Sequence, residues 1–269
     1  MKKTLFACLA LVATLSWAGC SLLDSTNNGD GQGSGEDGSY HDKWANLVNE
    51  TPHEAVLNGN TLTYGDHTYT VSGAIDFDAT DCSVPTATVT FSHIPSGYTE
   101  FEAVYNGLLG KFPQGVAAMA PMALEIYARS QETGEKCLKL LCDSDATVSG
   151  IIRILKTKLI PSAYSGSNDG YLQRYLPAAS LKGAVYTNAY APTKPFTVET
   201  CRSANAPQEK KMSPYGTVYY LYLFAEGWES TRRPVDLFLP LNESLYKVSG
   251  ISSLYTQCRD IIGNWAGLR

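Results

Sequence analysis

Histidine is scarce in this sequence and confined to its first third. The chain has 269 residues and four histidines, His41, His53, His67 and His93. The sequence also lacks the Gly-x-Ser-x-Gly turn of α/β-hydrolases and the His-Glu-x-x-His motif of zinc peptidases. A nucleophile elsewhere in the chain would need a histidine base from these early residues. We therefore predict that the protein is not an enzyme.

Charged residues are also few, and acidic residues exceed basic ones. Asp, Glu, Lys and Arg make up 17% of the chain, with 26 acidic against 21 basic residues and a net charge of −5. This balance argues against a nucleic-acid partner and against electrostatic attraction to anionic lipid. Three aspartates, Asp76, Asp78 and Asp81, lie close together without the glycine and distal glutamate of a calcium loop. We predict a solvated turn there, with no metal and no cofactor.

The cysteines lack the Cys-x-x-Cys spacing of redox and zinc sites. Two of the seven, Cys8 and Cys20, lie in the N-terminal segment, which leaves an odd number in the rest of the chain. Most of these five should be buried thiols, and Cys201–Cys258 is the predicted disulfide. The five are Cys82, Cys137, Cys142, Cys201 and Cys258.

The N-terminal segment has the features of an export signal. Lys2 and Lys3 precede an apolar run from residue 5 to residue 15, which is shorter than the roughly 20 residues of a membrane-spanning helix. Ala18-Gly19-Cys20 then resembles the end of a bacterial lipoprotein signal, in which the cysteine thiol is acylated, for example with palmitate. Trp17 departs from that pattern, and cleavage after Ala18 by ordinary signal peptidase is the alternative. The resemblance implies an envelope protein held to a membrane through Cys20, facing the periplasm or the cell surface.

Three regions follow from this interpretation. Residues 1–19 are the predicted signal peptide, and residues 20–39 are the lipidated cysteine and a flexible Gly/Ser/Asn/Asp linker. The linker contains the spacing Gly33-x-Gly35-x-x-Gly38, but this dinucleotide fingerprint works only between a strand and a helix. Residues 40–269 are the predicted single globular domain.

The domain should be α+β, with helices in the middle and strands at both ends. Strand patterns flank Gly65-Asp66, which suggests a hairpin, and helical spacing runs through residues 112–160. The apolar run at residues 218–225 predicts a central covered strand. Apolar residues occupy alternate positions in residues 233–239, with Pro234 and Pro240 near the two ends. This pattern suggests an edge strand with Asp236 in solvent. We therefore predict an antiparallel sheet packed on a central group of helices.

One stretch of residues 181–198 has a recognisable motif. It reads Gly183-Ala184, then Asn-x-Tyr-x-Pro-x-x-Pro from Asn188 to Pro195, then Phe-Thr-Val. It resembles the signature of a family of uncharacterised bacterial exported proteins or lipoproteins. Glu229 and the pair Arg232-Arg233 depart from a second segment of that family. The resemblance implies a domain of unknown function and transfers no activity.

Aromatic residues near this motif are the candidate ligand contacts. Tyr186, Tyr190 and Trp228 could form a platform for a glycan or an apolar ligand, and core packing is the alternative. We expect a non-catalytic binding or scaffolding domain at the cell envelope, with a glycan or protein partner. The alternative is an envelope hydrolase that uses a pair of carboxylates on a glycan.

Overall fold

The computed structural model of the chain describes most of the predicted globular domain, and all of the described residues belong to one compact unit. The predicted signal peptide, Cys20, the linker and Trp228 lie outside the described residues. The described residues are 51–159, 175–202, 212–213, 215–226, 231–255 and 258.

Within this part of the chain, nine strands form one antiparallel sheet. The strands follow the order β1-β2-β3-β4-β5-β7-β8-β9, and the short β6 pairs with the start of β7. The hairpin predicted around Gly65-Asp66 is confirmed as β2 and β3. The strands are β1 Ala55–Asn58, β2 Thr61–Tyr64, β3 His67–Gly73, β4 Ala87–Phe91, β5 Phe196–Arg202, β6 Met212–Ser213, β7 Gly216–Phe224, β8 Arg232–Pro240 and β9 Lys247–Gly250.

Four α-helices lie between β4 and β5 in the described sequence, so the predicted α+β order with strands at both ends is confirmed. None of the helices in the described residues is long and apolar enough to cross a membrane. Three of the four follow the predicted helical spacing, whereas the first was not predicted. The helices are α1 Tyr98–Gly107, α2 Pro113–Arg129, α3 Gln131–Leu141 and α4 Asp145–Leu159.

The sheet has an inner face that packs on the helices and an outer face that does not. Along β2, β3 and β4, buried residues alternate with partly exposed ones, as the two-residue period of a strand requires. The buried set joins residues of α2 in one core, and α2 contacts β4, β5, β7, β8 and β9. Representative core residues are Leu62, Tyr69, Val89, Phe91, Met119, Leu124, Val198, Leu221 and Leu237.

Helix α2 is the central element of this core. Fifteen of its residues are buried, including the charged Glu125, which pairs with Arg129 one turn later at 2.9 Å. Helix α3 packs closely on α2 at Gly134, where a Cβ would lie 2.2 Å from the Tyr127 Cα. Apart from Glu125 and Arg129, α2 has no charged residue, which is typical of a helix buried on most sides.

The two edges of the sheet differ. At one edge, β9 is covered by the α3–α4 connection, because the Asp143 amide donates to the Val248 carbonyl at 2.9 Å. At the other edge, all four residues of β1 are exposed, and Val56 is 57% exposed. The edge position predicted for β8 is wrong, because β8 pairs with β7 on one side and β9 on the other. Asp236 is accordingly half-buried, and burial raises its pKa.

The disulfide also differs from the prediction. Cys201 in β5 is bonded to Cys82 in the β3–β4 loop, with the two Cα atoms 5.8 Å apart, so the predicted Cys201–Cys258 bridge is wrong. Cys201 points to the outer face of the sheet, where it packs beside Tyr222 and Cys82. Cys258 is instead buried in the main core between sheet and helices.

Candidate functional site

The Gly183–Pro195 motif forms a tightly held loop before β5. The Asn188 side chain donates to the carbonyls of Gly183 and Ala191, at 2.8 and 3.0 Å, and accepts from the Val185 amide at 3.0 Å. These three hydrogen bonds close the loop around a left-handed turn, in which Ala189 and Tyr190 have φ values of 54° and 58°. The motif therefore has a structural explanation in this chain.

The predicted aromatic platform is only partly described. Tyr190 is completely buried, and its ring stacks on Tyr175 with centroids 4.4 Å apart. It therefore packs the core and does not present a face to solvent. Tyr186 is partly buried against the same core, and Trp228 lies outside the described residues. Within the described residues, Tyr186 and Tyr190 do not form an open pair of rings.

A cluster of titratable side chains at the rim of the sheet was not predicted. The Glu100 side chain is 1% exposed, and its two oxygens accept four hydrogen bonds. His67 Nδ1 lies 2.6 Å from Oε1, which also accepts from the Tyr69 hydroxyl, and Oε2 accepts from the amide and hydroxyl of Ser96. The pairing of β3 with β4 and the first turn of α1 bring these residues together.

A second histidine completes this cluster. The His93 ring stacks on the His67 ring, with centroids 4.2 Å apart and planes 18° apart. Burial, followed by the charge of His67 nearby, lowers the pKa of His93 from 6.5 to about 4. Arg129 lowers this pKa further, whereas Glu100 and Asp66 raise it. His93 is therefore neutral at pH 7.

The Glu100 carboxylate can orient the imidazole of His67 but cannot itself attack a substrate. Both Glu100 oxygens are occupied by donors, so the carboxylate has no free lone-pair direction towards solvent. His67 Nδ1 lies within hydrogen-bond distance of Glu100 Oε1, and Nε2, the other ring nitrogen, lies 3.5 Å from Asp66 Oδ1. Among the described residues, no group of three or more His, Cys, Asp or Glu side chains could hold a metal ion.

The outer face of the sheet carries a continuous row of threonines. Thr61, Thr70, Thr90 and Thr197 are direct cross-strand partners from β2 through β3 and β4 to β5. The hydroxyls of Thr61 and Thr70 lie 2.9 Å apart, so they share this face. We call these four residues the threonine ladder. Strands lie about 4.8 Å apart, so the ladder spans about 14 Å.

The outer face becomes aromatic beyond β5. Val218, Tyr220, Tyr222 and Phe224 alternate along β7 on the same side as Cys201, and Phe238 of β8 lies opposite Val218. We call Tyr220, Tyr222, Phe224 and Phe238 the aromatic row. Tyr220, Phe224 and Phe238 keep partial exposure, because no described helix covers this side of the sheet.

The fold and these features define a two-layer α+β domain in which no helix of the described residues covers the outer face of the sheet. A family model described as a domain of unknown function (DUF6935) matches residues 93–262. The chain therefore belongs to this family. Neither the curated proteins nor the solved structures gave a match to the chain.

Sequence patterns could have identified part of this arrangement. Phe101, Val104 and Tyr105 have the spacing of a buried helical face, which would have predicted α1 and placed Glu100 in its first turn. The Thr-x-Thr repeats of β2 and β4 also indicate a shared strand face. The proximity of His67, His93 and Glu100 depends on strand register, which no local pattern specifies.

Proposed function

We propose that the protein is an exported lipoprotein, anchored at the bacterial cell envelope through Cys20, whose α+β domain binds a partner and does not catalyse a reaction. The anchor rests on the resemblance of residues 1–20 to a lipoprotein signal. The binding role rests on the outer face of the sheet, which none of the helices in the described residues covers.

The Cys82–Cys201 disulfide is the observation that supports export most directly. Disulfides persist in the bacterial periplasm and at cell surfaces, whereas the cytosol keeps thiols reduced. Cys201 is completely buried, so this bridge lies inside the structure and not at an exposed redox site. A structural disulfide of this kind is expected in an extracytoplasmic protein.

The state of the buried carboxylates supports binding over hydrolysis. A glycosidase of the usual kind needs two carboxyl groups, one to donate a proton and one to act as nucleophile or base. Glu100 has both oxygens occupied, and Glu125 forms a buried ion pair with Arg129. These two carboxylates are therefore engaged in holding the fold together.

An envelope hydrolase is the second candidate, and the Glu100–His67 pair is the observation that favours it. A buried carboxylate that orients a partly exposed imidazole is half of a general-base arrangement. This candidate predicts hydrolysis of glycan or ester substrates that is lost in His67→Gln. If the purified chain hydrolyses such a substrate and His67→Gln abolishes the activity with folding intact, the non-catalytic proposal is wrong.

The anchor is tested with Cys20→Ala in the full chain, expressed in a bacterial host. We expect the parent to enter the detergent phase in phase partitioning and to incorporate labelled palmitate. The variant should remain in the aqueous phase without label, because the acylated thiol is gone. Equal partitioning of parent and variant would contradict lipidation at Cys20, and Cys8→Ala is the matched control.

A further inference from the structure

We propose that residues 40–48 fold back as a short amphipathic helix and dock on the inner face of the sheet at β1, beside α1. This inference names a contact within the chain, between the first residues of the predicted domain and the edge of its sheet. It depends neither on lipidation of Cys20 nor on a partner for the outer face, so its failure leaves the proposed function standing.

The inner face of the sheet is incompletely covered at β1. Leu57 lies directly opposite Leu62, so both side chains point to the helical side of the sheet. Leu62 is 1% exposed, whereas Leu57 is 50% exposed. In the part of the chain that the structure describes, β1 therefore presents a large apolar side chain on the face that elsewhere forms the core.

Helix α1 has small residues on the side that packs on β2. It contacts both β1 and β2, and a Cβ on Gly107 would lie 2.3 Å from the Leu62 Cδ1. Ala103, one turn earlier on the same side of α1, is only partly buried. Because the distance between packed helices depends on the side chains at their contact, these small residues allow a further helix to approach α1 closely.

The described chain enters β1 from the helical side. The Tyr64 side chain is buried in the core, so it points to the inner face of the sheet. Its hydroxyl accepts a hydrogen bond from the His53 amide at 3.1 Å, and the two rings meet edge-on, with centroids 5.5 Å apart. His53 thus lies on the inner side of the sheet, and the chain that precedes Thr51 continues from there.

The preceding chain has the composition that this surface requires, although it lies outside the described residues. Four apolar residues there have the spacing of one helix face, and they are Tyr40, Trp44, Leu47 and Val48. Val48 precedes His53 by five residues, which span at most about 17 Å, so the helix stays next to β1. The covalent connection also favours this segment over a separate molecule, because it keeps the local concentration of the segment high.

Docking of residues 40–48 determines where the tether leaves the domain. The flexible part is then residues 20–39, whose root-mean-square reach is roughly 25 Å. This tether starts on the helical side of the β1 edge, so it does not cross the outer face of the sheet. The face that the proposed partner contacts is therefore separated from the tether.

Trypsin cleavage measures this contact, because Lys43 is the one lysine or arginine between Cys20 and Lys111. Limited digestion of the full chain carrying Cys20→Ala is followed by mass spectrometry of the cut after Lys43. A docked helix resists this cut, since cleavage requires the segment to open. Leu57→Asp places a charge under the helix and should accelerate the cut at least about tenfold.

Two matched controls introduce the same charge away from the contact. Val56→Asp changes a neighbour that is 57% exposed on the outer face, and Asn46→Asp changes the polar side of the segment. Both should be cut at the rate of the parent.

Leu47→Asp removes the contact from the side of the segment and should accelerate the cut as much as Leu57→Asp does. The variant with both substitutions should be cut no faster than either single variant, because the two side chains belong to one contact. Thermal unfolding of each variant, with Leu57→Ser as a milder change, separates opening of the segment from loss of the fold.

Three outcomes would overturn the inference. If the parent is cut after Lys43 as fast as Leu57→Asp, residues 40–48 do not dock. If Val56→Asp accelerates the cut as much as Leu57→Asp, the segment does not lie on the inner face. If sedimentation finds a dimer that both β1 variants dissociate, a second copy of the chain covers β1, and the inference fails.

Discussion

At the scale of single residues, Asn188 shows how one side chain can hold a motif together. Its amide closes the loop before β5 with three hydrogen bonds, although the residue itself is exposed. The loop contains two non-glycine residues with positive φ, which is unfavourable without such support. The role of the motif is therefore to fix the entry of the chain into a central strand.

Asn188→Ala should lower the free energy of unfolding by about 1–2 kcal/mol, since three exposed hydrogen bonds are lost at once. Urea unfolding followed by circular dichroism measures this change. Thr187→Ala is the control, because Thr187 is an exposed neighbour in the same turn. Equal stability of the two variants would show that the asparagine bonds contribute nothing to the fold.

The stability of the protein should depend on pH through His93. The pKa of His93 is lowered to about 4 in the folded chain, so the unfolded chain binds a proton at this site at higher pH than the folded chain does. Stability must then fall as pH decreases from about 6.5 to about 4. The groups that face His93 are His67 and Asp66 from the β2–β3 hairpin, Glu100 from α1 and Arg129 from α2.

His93→Gln should reduce this pH dependence, because glutamine does not titrate. Urea unfolding between pH 7.5 and pH 4.5 compares the slopes of parent and variant. His53→Gln, on an exposed histidine, should keep the slope of the parent. Parallel slopes for parent and His93→Gln would mean that the stack of His67 and His93 does not resist protonation.

At the scale of secondary-structure elements, two glycines in helices have opposite surroundings. Gly134 lies against the backbone of Tyr127, whereas a Cβ on Gly150 in α4 would meet nothing within 4 Å. Gly134→Ala should lower stability by about 1–3 kcal/mol, because α3 must move away from α2. Gly150→Ala should raise stability by about 0.5–1 kcal/mol through helix propensity. Thermal unfolding measures both, and destabilisation by both to the same degree would contradict the close contact at Gly134.

The sequence predicted helices better than strand positions, and the reasons are physical. Apolar spacing located α2, α3 and α4 because each helix packs one or more faces against the core. Helix α3 begins at Gln131, because the Ser130 hydroxyl accepts from the Thr133 amide and caps this end of the helix.

The two prolines of β8 misled the prediction of an edge. Strand β9 is short and pairs only with Asp236, Leu237 and Phe238. Neither Pro234 nor Pro240 lies in the part of β8 that has neighbours on both sides, so the lost N–H groups are tolerated there. The length of a neighbouring strand is a property of the assembled sheet, and the sequence of one strand does not predict it.

At the scale of the whole molecule, the Cys82–Cys201 bridge joins positions 119 residues apart, across the entire helical region. A loop of this length loses much conformational entropy when it is closed in the unfolded chain, which corresponds to about 4–5 kcal/mol of stabilisation. Cys82→Ser with Cys201→Ser should lose an amount of this order in urea unfolding. Dithiothreitol should lower the stability of the parent to that of the double variant and leave the double variant unchanged, whereas a parent that is insensitive to the reductant would contradict the pairing.

The Cys82–Cys201 bridge could not be predicted from the sequence, because it joins segments that are distant along the chain. Five cysteines allow many pairings, and only the position of the β3–β4 loop in the folded domain brings Cys82 close to Cys201. The candidate surfaces follow the same rule, since the threonine ladder draws on four strands separated by up to 136 residues, from Thr61 to Thr197. The overall α+β class depends on local periodicity and could be predicted.

The unequal edges of the sheet limit how copies of this domain can assemble. An open-ended fibre built by strand addition needs two accessible edges, so that each copy receives one neighbour and offers a place to the next. Here the β9 edge is already engaged by Asp143, whereas β1 is exposed along its length. Pairing of β1 with β1 of another copy is symmetric and consumes the exposed edge of both, so edge-to-edge growth of the described domain ends at a pair.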